Sequence, residues 1–229
     1  MKFNMKTTAT LVGINLATLA RLTSAGQVTM QAQPLVDPRR PKLRSFSEFK
    51  TFGEPGLEKA FALAKRFAAR VREHPHAGQY MLTLAGVSGT GKTMLAQCVL
   101  NDLGLDAWGN LSALPRWVES RERRSADAVM RDCRRLAEKV QAREIDLAAA
   151  LADPFLLVLD DFGAWHDPSG FVAEKFDGLL RRRRDKWTFI TTNLLLADIA
   201  EKEGRTASWM IRDGNTVHEL TCKDFALRK

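Results

Sequence analysis

The run Gly86-Val-Ser-Gly-Thr-Gly-Lys92-Thr93 constrains this chain more than any other segment. It fits the pattern G-x-x-x-x-G-K-[ST], a loop that needs a strand before it and a helix after it. Both flanks comply. Met81-Leu-Thr-Leu-Ala85 is apolar enough for a buried strand, and Met94-Leu-Ala-Gln-Cys-Val-Leu100 is helix-like. Glycines at 86, 89 and 91 let the backbone curl around an anion with no Cβ in the way. The amides of Gly91, Lys92, Thr93 and Met94 would then face phosphate oxygens from a helix N-terminus. Gly86, Ser88, Gly89, Thr90, Gly91, Lys92, Thr93 and Met94 are therefore the candidate nucleotide cradle. In this chemistry Lys92 places a positive charge between the β- and γ-phosphates, and the Thr93 hydroxyl is a ligand for Mg²⁺. The guanine-reading motif N-K-x-D is absent from the sequence, which favours ATP as the nucleotide.

The remaining pattern is that of a doubly wound parallel α/β sheet, the P-loop NTPase class. Leu57, Phe61, Ala64, Phe67, Ala68 and Val71 recur at helical spacing before the first strand. Phe155-Leu-Leu-Val-Leu159 is a continuous apolar run, as a strand buried on both faces requires. A helix is predicted over residues 171–183 with Val172, Phe176, Leu179 and Leu180 inward, then a strand Trp187-Thr-Phe-Ile-Thr191. Residues 125–151 read as helical, with Val129, Cys133, Leu136 and Val140 on one side. A short strand is expected near 110–114. Alternating strands and helices with a glycine loop at one junction specify the layered sheet. The expected organisation is an N-terminal extension with a basic, proline-interrupted linker, 1–44, and one ATPase domain, 45–229, without a separate C-terminal lid.

Net charge is +8, which favours an acidic partner such as nucleic acid. Arg121-Glu-Arg-Arg124, the arginines of 131–135 and Arg181 to Arg184 are candidate phosphate contacts; the competing reading is a solvated surface. No sequence-reading module accompanies them, so DNA binding is expected to be non-specific. Cys98, Cys133 and Cys222 are odd in number and widely spaced, which indicates neither a zinc site nor a disulfide framework. No segment has the length of a transmembrane span. Residues 2–26 mimic a secretion signal, but Gly13, Asn15 and several threonines break the apolar stretch, so a cytoplasmic location is expected.

A phosphate loop hydrolyses nothing without metal placement and a polarised water. Asp160 and Asp161 end the apolar strand, where open parallel sheets place their ligands. Asp160 is the candidate Mg²⁺ ligand and Asp161 the group that orients and deprotonates water. Asn193, at the end of the next strand, is placed to hydrogen-bond the γ-phosphate or that water.

Together, Ser45-Phe-Ser-Glu-Phe49, the 86–93 loop with Leu95-Ala96, residues 156–161 with Phe162-Gly163, and Ile190-Thr-Thr-Asn193 resemble the DnaC/IstB family of AAA+-type ATPases. The resemblance runs from about Phe46 to the C-terminus. It implies an oligomeric ATPase that engages a replicative helicase or a transposase, and binds single-stranded DNA in preference to duplex. Asp160 and Asp161 then serve as the metal and water-activating pair, and Asn193 as a sensor. One position departs from the family pattern. Where the family carries Ser-Arg-Leu, with an Arg reaching the neighbouring subunit's nucleotide, this chain has Ser208-Trp209-Met210. Arg205 and Arg212 are the candidate replacements. The alternatives are the transposition-helper role, or an ATP-gated adaptor with little turnover.

Overall fold

A computed structural model describes residues 43–74, 80–105, 128–202, 204–212 and 214–222. The N-terminal extension (1–42 of the expected 1–44), the basic run at 121–124 and the strand expected near 110–114 lie outside the described residues. Where the description begins, Leu43 already packs against the core and the Arg44 carbonyl accepts a bond from Asn101 Nδ2.

Five parallel strands form one sheet in the spatial order β2-β3-β4-β1-β5. They are β1 Met81–Gly86, β2 Ala128–Asp132, β3 Leu156–Phe162, β4 Trp187–Thr192 and β5 Thr216–Leu220. The helices are α1 Pro55–Glu73, α2 Lys92–Asp102, α3 Cys133–Gln141, α4 Leu147–Leu151, α5 Phe171–Arg182, α6 Leu196–Lys202 and α7 Gly204–Met210. Successive side chains of a strand point to opposite faces, and β3 divides its apolar run accordingly. Leu156 and Val158 join a core with α1 and α2, whereas Leu157 and Leu159 join a second core with α3, α5 and α7. Both faces of the sheet are covered, so the central strands can be apolar throughout.

Three of the helices begin where the sequence supplies a start. Pro55 opens α1, where a missing N–H costs nothing. Asp146 caps α4 by accepting the amides of Ala148 and Ala149.

Two strands differ from the sequence expectation. Residues 128–132 are strand β2, not the first turns of a helix; Val129 falls by coincidence on the helical period of Cys133, Leu136 and Val140. The true start of α3 is Asp132, whose carboxylate accepts the amides of Arg134 and Arg135 at 2.9 and 3.2 Å. Strand β5 had no sequence counterpart, because Thr-Val-His-Glu-Leu is short and half polar.

The arginine cluster ending α5 also divides. Arg181, Arg182 and Arg184 are exposed, but Arg183 is 0% exposed and is no DNA contact. Its guanidinium donates to the carbonyls of Leu151, Ala152, Pro154 and Trp187 and to Thr188 Oγ1, at 2.7–3.2 Å. It ties the end of α4 to the entry of β3 and β4. Arg183→Ala would strip this donor from several buried acceptors at once, while the Ala152 carbonyl keeps its bond from Lys186 Nζ. A loss of about 3 kcal/mol is therefore expected in urea unfolding. An unchanged midpoint would show that this clamp is dispensable.

Candidate functional site

The site lies at the C-terminal ends of β1, β3 and β4. β4 lies between β3 and β1 in the sheet, which brings the phosphate loop, the Asp pair and Asn193 to one edge. The loop's conformation depends on glycine at two positions in particular. At Gly86, φ is +128°, and an added Cβ would stand 2.2 Å from the Leu220 carbonyl oxygen of β5. Gly91 has φ +87°, and a Cβ there would come within 3.0 Å of the Phe49 ring. Phe49 in turn stacks on Phe61 of α1 at 5.7 Å. The segment before α1 thus closes over one side of the loop.

The first helical bond of α2 runs from the Leu95 amide to the Gly91 carbonyl. The amides of Lys92, Thr93 and Met94 therefore belong to the first turn, the donors a helix leaves without intrahelical acceptors. Lys92 is only 4% exposed. Its ammonium donates to the carbonyls of Gly86 and Val87 at 2.8 and 2.7 Å and to Thr90 Oγ1 at 3.2 Å. Thr90 Oγ1 also donates to the Val87 carbonyl. The charge sits inside the curl of the loop, on the loop's own oxygens.

Across from the loop, Thr93 Oγ1 donates to Asp160 Oδ1 at 2.9 Å. Thr191 Oγ1 donates to the same oxygen at 2.5 Å and accepts the Asp161 amide at 3.0 Å. Asn193 Nδ2 donates to Asp161 Oδ1 at 3.2 Å. Thr93, Asp160, Thr191, Asp161 and Asn193 are thus one hydrogen-bonded chain drawn from three segments. Asp161 has φ +53°, a left-handed conformation that Asp tolerates better than most residues.

Burial raises the Asp160 pKa above its ordinary value, with the hydrogen bonds from Thr191 and Thr93 opposing and the charges of Asp161 and Asp132 adding to the rise. A carboxylate crowded in this way gains from a nearby cation. Together with the Thr93 hydroxyl it offers hard oxygen donors of the kind Mg²⁺ takes when substrate phosphates complete its shell. The residues present fit Mg²⁺.

The C-terminal candidates stand elsewhere. The Trp209 indole N–H donates to Asp177 Oδ1 at 3.0 Å, and the Arg212 guanidinium lies 5.2 Å from the Trp209 ring centroid. The Trp209 carbonyl accepts Asn215 Nδ2, and Asn215 Oδ1 accepts the amide of Met81 at the start of β1. This end of the sheet is opposite to the phosphate loop. Arg205 and Arg212 are exposed and do not join Lys92, Asp160, Asp161 and Asn193 within this chain. Thr191 is the one member of the bonded network that the sequence reading left out; nothing but its place beside the Asp pair could have marked it.

No protein-family model matches the chain, and no curated protein matches it. Solved structures do. A structure of DnaI is 22% identical with a TM-score of 0.58, covering 79% of this chain and 89% of that one. The DnaC helicase loader is 20% identical with a TM-score of 0.57, covering 77% of this chain and 96% of that one. The replication initiator DnaA, bound to AMPPCP and single-stranded DNA, is 14% identical with a TM-score of 0.56. This chain is covered over 81% by that match and spans about half, 52%, of the DnaA chain. The fold is the one these proteins share, a parallel sheet flanked by helices.

Proposed function

We propose that this chain binds ATP with Mg²⁺ at residues 86–94, hydrolyses it, and works as a DNA-associated helper of the helicase-loader kind. The observation that carries this reading is the bonded chain from Thr93 through Asp160 and Asp161 to Asn193, set against a glycine cradle. The folds of DnaI, the DnaC helicase loader and DnaA support it.

The amides of the 86–94 loop bind the triphosphate, and Lys92 exchanges its contacts with the loop carbonyls for phosphate oxygens. Mg²⁺, when bound, neutralises charge on the β- and γ-phosphate oxygens; Thr93 and Asp160 would hold it. Asp161 accepts a proton from water as the water oxygen bonds to the γ-phosphorus and the bond to the β–γ bridging oxygen breaks. Asn193 fixes the Asp161 carboxylate by its hydrogen bond and so orients the water. Positive charge for the leaving oxygens comes from a second copy of the chain, through Arg205 or Arg212 at the opposite end of the sheet. Such a residue is worth about 10³ to 10⁵ in rate where it operates. Holding Arg212 over the Trp209 ring suits that task, since the indole limits where the guanidinium can point.

The exposed arginines 134, 135, 181, 182 and 184 would contact DNA phosphates, and the partner would be a replicative helicase in the cytoplasm. DnaA, which shares this fold over about half of its length and is bound to AMPPCP and single-stranded DNA, supports a nucleotide and single strands as ligands here. Among the described residues no helix is long and apolar enough to cross a membrane. The test is ATP turnover by the purified chain with single- and double-stranded DNA. Stimulation by single strands, weakening as salt rises, is the expected result. Stimulation by duplex alone would transfer the assignment to a transposition helper, and ATP binding without turnover to an adaptor.

A further inference from the structure

The register of β3 against β4 holds a feature that the site's chemistry depends on. Leu159 stands opposite Ile190 and Phe162 opposite Thr192, with a register shift between them. Two residues of β3, Asp160 and Asp161, therefore face one residue of β4, Thr191. This is a β-bulge, in which an extra residue re-aims side chains that strict alternation would send to opposite faces of the sheet. Thr191 is 0% exposed, and its hydroxyl spends both functions on the bulge: it donates to the Asp160 carboxylate and accepts the Asp161 amide.

We infer that Thr191 is the positioning residue of this site, its hydroxyl pinning the bulge so that Asp160 and Asp161 act together. The inference rests on the ATPase reading for its functional consequence, but its structural content stands apart from it. Valine has the same shape and an equal liking for a buried strand, so packing does not require the hydroxyl. A buried hydroxyl is costly unless bonded, and both of its bonds go to the bulge. The loop follows β1 and opens α2, and the Lys92 ammonium is held by the loop's own oxygens, so triphosphate binding without metal is assigned to them.

Thr191→Val and Thr191→Ser separate the hydroxyl from the fold. The first readout is hydrogen exchange of the Asp161 amide by NMR in the nucleotide-free protein. Exchange is expected to be slow in wild type and the Ser variant, and at least tenfold faster in the Val variant. The second is binding of Mn²⁺, followed by electron paramagnetic resonance, to protein saturated with AMPPCP. Partners that orient a metal ligand contribute about 10- to 100-fold to metal affinity, so the Val variant should bind Mn²⁺ weaker by that factor and the Ser variant within a few-fold of wild type. AMPPCP affinity measured in EDTA should be the same in all three. Equal exchange at Asp161 in wild type and the Val variant overturns the inference, as does unchanged Mn²⁺ affinity. Loss of Mn²⁺ affinity in the Ser variant as well assigns the effect to packing and also overturns it. A wild type that protects the Asp161 amide yet never binds Mn²⁺ with AMPPCP overturns the ATPase reading instead.

Discussion

Lys92→Ala is expected to weaken ATP binding by about 100-fold or more, in titration calorimetry of the otherwise folded chain. A hydrogen bond to a charged group contributes about 1.5–3 kcal/mol, and Lys92 is the only cation within the loop sequence. The same ammonium holds the Gly86 and Val87 carbonyls in the curl of the loop. Its removal therefore takes away a phosphate contact and loosens the cradle that presents the amides. Affinity within a few-fold of wild type would mean that the loop is a structural turn and the nucleotide, if any, binds elsewhere. Thermal unfolding of the variant serves as the control, because Lys92 is nearly fully buried.

Asp161→Asn should separate binding from chemistry. Asparagine tolerates the left-handed backbone at φ +53° and its carbonyl oxygen can still accept from Asn193. The substitution leaves the bulge and the Asn193 contact in place and removes the base. General-base assistance contributes about 10² to 10⁴ in rate, so turnover should fall by that factor while ATP affinity stays within a few-fold. Turnover near the wild-type rate would remove Asp161 from the mechanism. Loss of ATP binding would assign it to the cradle instead.

The parts of this molecule written in local sequence were legible before any coordinates. The glycine loop and the apolar run ending in Asp160-Asp161 carry their own context, and β4 is marked by its alternation of aromatic and β-branched residues. The adjacency of β1 and β4, which brings Asn193 to the loop, follows from the parallel topology. What stayed hidden depends on tertiary pairing. Strand β2 shares its apolar spacing with the helix that follows, and only the cap at Asp132 separates them. Arg183 looks like its exposed neighbours in sequence, yet it is swallowed by the carbonyls that converge where α4 ends. The bulge opposite Thr191 exists only once β3 and β4 are in register, so no pattern along one strand could reveal it.

The central claim is that this fold cleaves ATP at the Gly86 loop, completed by a second copy. The measurement that tests it most directly is phosphate release from Mg²⁺-ATP by the purified chain, followed as protein concentration is raised with single-stranded DNA present. The expected result is release whose rate per chain climbs with concentration, because Arg205 and Arg212 stand at the end of the sheet away from their own chain's loop. No phosphate release at any concentration, with or without DNA, from protein that binds ATP would contradict the claim.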